Sequence, residues 1–314
     1  MMIRKFITKA VIFLIIPVIC LIGLSKLLAT LVIDTNDMLY IGLDKQEALI
    51  HTPGPRLVLV GGSSLPFSIN SELIADSLNL NPINTGIHAG IGLKFMLNYS
   101  KKFIRSGDIV ILIPEYHHYY GVFANGSMEL VKTIFEVQPQ QADNIKAFQW
   151  IQVLKYLPKY SAAKLKKVYH MNDGDGEITP YDRRSFNKYG DAIVHWKLPG
   201  KPVSPWGSLP GALNKSIIAD IRKYQAELES GGAKVFVSFP NYQEDSYNNA
   251  QSQIEDVFEQ LKSNNIRLMG SPERYKIPDS LLFDTPYHLT KTGVDLRTNL
   301  LIGDVLDYDP SLRK

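Results

Sequence analysis

The chain contains a single cysteine, Cys20, in 314 residues. That excludes an internal disulfide and any zinc site built on cysteine thiolates. A basic surface is also missing. Arg4, Lys5, Lys9 and Lys26 all precede the first acid, Asp34, and without those four the formal charge falls from +3 to −1. The body of the protein therefore has no cationic excess with which to hold a polyanion, and nucleic acid is not expected as a partner. No repeat and no low-complexity tract interrupts the sequence. At 45% hydrophobic, 21% charged and 10% aromatic residues, the composition excludes collagen, coiled-coil and disordered classes.

What is present begins with an apolar run. Residues 10–25, AVIFLIIPVICLIGLS, carry no charge, and LLATLVI carries the apolar character past Lys26 to Ile33. At 1.5 Å per residue the uncharged part reaches roughly 24 Å and the whole stretch roughly 36 Å, enough to span a bilayer if Lys26 snorkels. No small-x-small cleavage site follows, and Cys20 is preceded by Pro17-Val18-Ile19 rather than by a small residue. Residues 1–33 are therefore expected to form an uncleaved signal anchor, with a cleaved signal peptide as the alternative. The positive charges ahead of the run predict a single-pass protein of the cytoplasmic membrane, its N-terminus cytoplasmic and its main domain extracytoplasmic or periplasmic.

After a polar linker expected over residues 34–55, apolar runs and helical patterns alternate. RLVLV (56–60) reads as a strand, with a helix opened by Asn70-Ser71-Glu72. PINTG (82–86), DIVILIP (108–114), KVFVSFP (234–240) and Ile266–Met269 read as further strands. Helices are expected over 92–104, 211–230 and 247–263 and from about Thr290. This order predicts a three-layer α/β fold with a mostly parallel sheet. Between about 116 and 210 the alternation lapses into helices and a Gly/Pro-rich stretch, GDGEITPYDRR followed by KLPGKPVSPWGSLPG. All three tryptophans lie there, so the segment reads as an insertion over the sheet edge rather than a linker.

In parallel sheets, reactive side chains gather where strands end. Gly61-Gly62-Ser63-Ser64 occupies such a place, either as a nucleophile turn or as a turn with a capping serine. It is not a phosphate-binding P-loop, because the Gly-Lys-Ser/Thr ending is absent. Asn84-Thr85-Gly86 ends the second strand, where a glycine lets a backbone N–H approach a reacting oxygen and an asparagine can donate its amide. Asp284-Thr285-Pro286-Tyr287-His288 precedes the last helix, and an acid and an imidazole four residues apart can orient one another across a turn. His88 reads as structural. Glu115, His117 and His118 read as a loop cluster rather than a metal site, and no metal or cofactor is expected. Tyr116, Tyr119 and Tyr120 either line a sugar cleft or pack beneath the insertion. Arg183-Arg184 reads as a solvated pair, and Asn98, Asn125 and Asn214 match the glycosylation sequon.

Together, the Gly-x-Ser after the first strand, the Asn/Gly turn after the second and the Asp-His pair before the final helix resemble the SGNH/GDSL-hydrolase superfamily. GGSS, NTGIHAGIG, IPEY and DTPYHLT behind a signal anchor look more closely like the membrane-anchored SGNH-like proteins of bacterial cell-envelope and polysaccharide O-acylation systems. The resemblance covers residues 56–115 and 211–305, and it touches the insertion chiefly at Ser185–Asp191. It implies a flavodoxin-like α/β/α fold over 56–314, with Ser63 as nucleophile, His288 as base and Asp284 as its orienter. The four-residue spacing leaves Asp279 or a backbone carbonyl as substitutes for Asp284. Gly86 and Ser63 N–H groups would face the oxyanion, with Asn84 and Ser64 beside them. The implied function is serine-dependent O-acyl transfer to or from cell-envelope carbohydrate, with an integral membrane acyltransferase as partner. An esterase or deacetylase on the same triad, and a non-catalytic anchored scaffold or glycan-binding subunit, are the alternatives. The sequence departs from the family pattern in three places. Gly62 replaces the usual acid of the first block, Ile113-Pro114-Glu115-Tyr116 stands where a Gly-x-Asn-Asp block is usual, and Asp and His are four apart rather than three.

Overall fold

Beyond its first residue, Arg56–Gly61 (β1) is apolar on both faces, as a strand covered on both sides must be, and all six residues are buried. In the computed structural model, which describes residues 2–31, 33–169 and 177–314, β1 lies at the centre of a parallel sheet. The side chains at 2, 3, 7, 10–12, 14 and 169 fall outside that description as well. β1 pairs with Asn81–Asn84 (β2), Val58 opposite Ile83, and with Ile109–Ile113 (β3), Leu59 opposite Ile111. β3 in turn pairs with Lys234–Val237 (β4), Ile111 opposite Phe236, giving the order β2-β1-β3-β4. The strand expected at Ile266–Met269 is reduced to one parallel bridge between Val237 and Leu268, because the left-handed turn at Gly270 (φ 73°) and Pro272 end the pairing.

Ten α-helices fall among the described residues. In chain order they are α1 (Met2–Leu31), α2 (Ile41–His51), α3 (Ser71–Ser77), α4 (Leu93–Ser100), α5 (Met128–Lys132), α6 (Gln149–Tyr169), α7 (Lys215–Ser230), α8 (Glu244–Asn249), α9 (Gln251–Ser263) and α10 (Lys291–Tyr308). Alternate residues of each strand face opposite layers. Val58, Val60, Val110, Leu112 and Val235 share one core with apolar residues of α4, α7 and α9. Leu57, Leu59, Ile109, Ile111 and Ile113 share the other with Ile74 of α3 and with Leu301 and Val305 of α10. The chain is thus an α/β protein with helices on both sides of a parallel sheet.

Residues 34–55 do not behave as the expected linker. Leu39, Tyr40, Ile41 and Leu49 are buried in the first core, and α2 occupies half of the segment. Its C-terminal end is held by Arg56, which is fully buried. Arg56 Nη1 donates to Leu49 O at 2.7 Å, Nη2 donates to Phe103 O at 2.8 Å, and Nε meets Asp108 Oδ1 at 2.8 Å. α1 packs its C-terminal part on α6, where Ser25 Oγ and Ser161 Oγ are 2.7 Å apart. Among the described residues no helix is long and apolar enough to cross a membrane. The run at 10–25 falls partly on side chains outside the description.

The 116–210 segment supplies α5, α6 and a series of short turns, while residues 174–176 of its Gly/Pro-rich stretch lie outside the described residues. Its later part is tied to the sheet's C-terminal edge by backbone bonds. Asn84 N–H donates to Tyr189 O at 2.9 Å, and Ala192 N–H donates to Pro66 O at 3.0 Å. These two bonds fix it against the loops that follow β1 and β2.

Candidate active site

β1 ends at Gly61 and leads into a tight coil over residues 62–68 rather than straight into a helix. Leu65 N–H closes on Gly62 O and Phe67 N–H on Ser63 O, both at 3.3 Å. α3 begins only at Ser71, capped by Asn70 Oδ1 on Leu73 N–H at 3.2 Å. Its dipole therefore does not serve Ser63. Gly62 is required by a close approach, since a Cβ there would lie 2.6 Å from Glu115 Oε1 and 3.0 Å from Ala89 Cα.

The loop before α10 brings the second part of the site. His288 N–H donates to Thr285 O at 3.2 Å, folding the four-residue spacing into a turn that sets His288 against Asp284. Leu289 N–H donates to Phe67 O at 3.1 Å, which ties this loop to the coil that carries Ser63. Across 225 positions of sequence, His288 Nε2 lies 3.2 Å from Ser63 Oγ, and Nδ1 lies 2.9 Å from Asp284 Oδ1. The ring stacks on Phe67 with centroids 4.2 Å apart and planes inclined by 17°. A carboxylate on Nδ1 favours the tautomer that leaves Nε2 free to accept the serine proton. Burial alone would raise the Asp284 pKa. The hydrogen bond and charge of His288, together with the hydrogen bond from Tyr181, outweigh it and hold the group below the ordinary carboxylate range. Asp279, the substitute orienter, instead accepts from Gln243 Nε2 at 3.0 Å.

Two side chains that the sequence did not mark for this chemistry join the site. Tyr181, from the insertion, donates to Asp284 Oδ2 at 2.6 Å and lies 3.1 Å from His288 Nδ1. Burial and the neighbouring carboxylate push its phenol pKa far up, so it remains a donor. Glu115, at the end of β3, accepts from Ser64 N–H at 3.0 Å and lies 3.3 Å from Ser63 Oγ. The one signal of Glu115 in the sequence was its departure from the family pattern. Tyr181 gave none, because the partner it finds is 103 residues away. Replacing Tyr181 by Phe removes one charge-assisted bond from Asp284 while leaving the ring. We expect kcat to fall about tenfold with KM little changed, measured by steady-state ester hydrolysis. An unchanged kcat would dismiss this supporting role.

The expected oxyanion donors are arranged differently. Gly86 N–H donates to Asn84 Oδ1 at 3.1 Å, and Asn84 Nδ2 donates to Asp191 Oδ1 at 2.8 Å. Both groups are therefore occupied beneath the Ser63 coil and do not line the cleft. Gly86 is needed for packing instead, since a Cβ there would lie 2.5 Å from Gly62 O and from Leu65 Cβ. Ser64 Oγ is buried without a partner among the described residues, and only the Ser64 N–H takes part, through Glu115.

Above Ser63 opens a cleft of about 450 Å³ whose lining includes His88, Glu115, His117, Tyr181, Trp206 and His288. Tyr116, Tyr119 and Tyr120 are buried in the core rather than lining it. Trp206, from the insertion, meets the edges of His117 at 5.0 Å and Tyr287 at 5.6 Å. His118 turns away to Ala89 O, and burial lowers its pKa. Among the described residues no cluster of three or more His, Cys, Asp or Glu side chains could hold a metal ion. Arg183 and Arg184 are not simply solvated, for Arg183 grips Asp44 at 2.6 and 2.7 Å and Arg184 grips Asp182. No protein-family model matches the chain, and no curated protein matches it.

Proposed function

We propose that the chain is an SGNH-type serine enzyme that transfers an O-acyl group to or from cell-envelope carbohydrate. The observation that carries this reading is the relay of Ser63, His288 and Asp284, with separations of 3.2 and 2.9 Å, at the floor of an open cleft. In the reaction, Ser63 Oγ attacks the ester carbonyl as His288 Nε2 takes its proton, and Asp284 stabilises the imidazolium. His288 gives that proton to the departing alkoxide as the acyl-enzyme forms, then takes a proton from the attacking sugar hydroxyl or water and gives it to Ser63 Oγ as the acyl–serine bond breaks. Two N–H groups suit the oxyanion. That of Ser63 has no acceptor among the described residues. His88 Nδ1 accepts from Gly90 N–H at 3.0 Å, so the neutral ring carries its proton on Nε2, and the ring lines the cleft.

The test is labelling by a fluorophosphonate, which forms a covalent bond to an activated serine. The probe should mark Ser63, as located by peptide mapping, and should fail on Ser63→Ala. Absence of labelling in a folded sample would favour the scaffold reading and defeat this one.

We further propose that residues 1–33 anchor the domain to the cytoplasmic membrane, with Arg4, Lys5 and Lys9 holding the N-terminus inside. Acyl transfer outside that membrane cannot draw directly on cytosolic thioesters, so an integral membrane acyltransferase is the partner that would hand the group across. A reporter active only outside the cytoplasm should work when fused after Lys314, and inactivity there would defeat the export claim.

A further inference from the structure

Two of the places at which the chain departs from the SGNH pattern meet at one point in space. The position that a side chain at 62 would occupy is filled by the carboxylate of Glu115, 2.6 Å from where the Gly62 Cβ would be. Glu115 is only 5% exposed and is held by the Ser64 N–H at 3.0 Å, with Ser63 Oγ 3.3 Å away. It faces the cleft, and among the described residues no Lys or Arg side chain lines that cleft to offset it. The hydrogen bonds its carboxylate makes among the described residues are those with Ser63 Oγ and the Ser64 N–H.

Because Ser63 Oγ is 3.3 Å from this carboxylate, the first few carbons of an acyl group bonded there would lie within roughly 4–6 Å of it. At such separations, and with the reduced screening of a half-enclosed cleft, two like charges disfavour one another by about ten- to a hundredfold in occupancy. Resting on the serine acyl-transfer reading above, we propose that Glu115 selects the acyl group. Ser63 accepts acyl groups without a negative charge and rejects those that carry a carboxylate, such as half-esters of dicarboxylic acids. The carboxylate therefore acts as a specificity element set against the nucleophile, in the space that glycine leaves at 62.

The test compares two esters of similar shape, p-nitrophenyl butyrate and mono-p-nitrophenyl succinate, each normalised to its own hydroxide-catalysed rate. With the full chain in detergent, kcat/KM should favour the butyrate by at least about tenfold. Glu115→Gln keeps an acceptor for the Ser64 N–H and should narrow the ratio to within about threefold, whatever its effect on the absolute rate. Added salt should shrink the preference of the parent enzyme and leave that of the variant unchanged. Equal handling of both esters by the parent, or an unaltered ratio in the variant, would overturn the proposal. Should Glu115→Gln not fold, the parent enzyme decides alone. Propylboronic acid should protect Ser63 from the fluorophosphonate at about tenfold lower concentration than 2-carboxyethylboronic acid, and equal protection overturns the proposal. If the parent neither turns over an ester nor takes the probe at Ser63, the serine reading itself falls. Labelling without charge discrimination overturns only the role of Glu115.

Discussion

Ser63→Ala is expected to lower acyl transfer or ester hydrolysis by about 10⁴-fold or more, whereas Ser64→Ala should cost about tenfold at most. The two serines are adjacent, yet the fold treats them oppositely. Ser63 Oγ stands 3.2 Å from His288 Nε2 on the cleft floor, while Ser64 Oγ is buried with no partner among the described residues. What Ser64 contributes is its N–H to Glu115, and alanine keeps that donor. The loss at Ser63 should not grow when His288 or Asp284 is also changed, because in the proposed reaction the three side chains act on one proton. Both variants should unfold within a few degrees of the parent, since neither change opens a cavity larger than an oxygen. Steady-state kinetics on one soluble ester, with thermal melts alongside, decides the matter. Equal losses at Ser63 and Ser64 would mean that the pair serves only to shape the turn.

The parts of this fold that could be read from the sequence are those whose cause is local. β1 and β3 announce themselves because a strand covered on both faces needs an unbroken apolar run, which LVLV (57–60) and IVILI (109–113) supply. Asn70 caps α3 and Asn214 caps α7, as short polar side chains before a helix do. The pairing of His288 with Asp284 is likewise local, a turn closed by His288 N–H on Thr285 O. Its meeting with Ser63 was readable only because parallel strands deliver their C-terminal ends to one edge.

What the sequence concealed depends on distant partners. Residues 34–55 look polar, but Leu39, Tyr40 and Leu49 are buried in the core on one face of the sheet. Asn84 and Gly86 have the chemistry of oxyanion donors, yet which way the Asn84 amide turns is decided by Asp191, 107 residues later. Tyr181 reaches Asp284 from an insertion whose path no periodicity reveals. Glu115 could be noticed as a departure, but its fit with Gly62 is a matter of three dimensions.

Asp191 carries the largest structural consequence. It is fully buried and accepts from Ser71 N–H at 2.7 Å, Ser71 Oγ at 2.8 Å, Asn84 Nδ2 at 2.8 Å and Asn187 Nδ2 at 3.3 Å. One carboxylate thereby joins the start of α3, the end of β2 and the insertion. Burial works to raise its pKa, and the bonds from Ser71 and Asn84 oppose that rise. Lys45 is buried nearby and donates to the carbonyls of Gly86 and Gly190; burial pulls its pKa down to about 7, and Asp191 is the leading carboxylate that opposes the fall. Asp191→Ala would strand the Ser71 N–H and the Asn84 amide and leave Lys45 without that charge, so we expect about 3–5 kcal/mol of lost stability. Asp191→Asn keeps an acceptor and much of the shape, and about half that loss should follow. The site should feel the change separately from stability. Once Asn84 is free to turn, Gly86 and the Ser63 coil packed on it lose their common support, and activity should fall even under conditions where the variant stays folded. Urea unfolding of the full chain reads the first effect, and kcat at low temperature reads the second. A loss below about 1 kcal/mol for Asp191→Ala would show that water or a rearranged insertion replaces the carboxylate, and that the network is not what holds the insertion to the sheet.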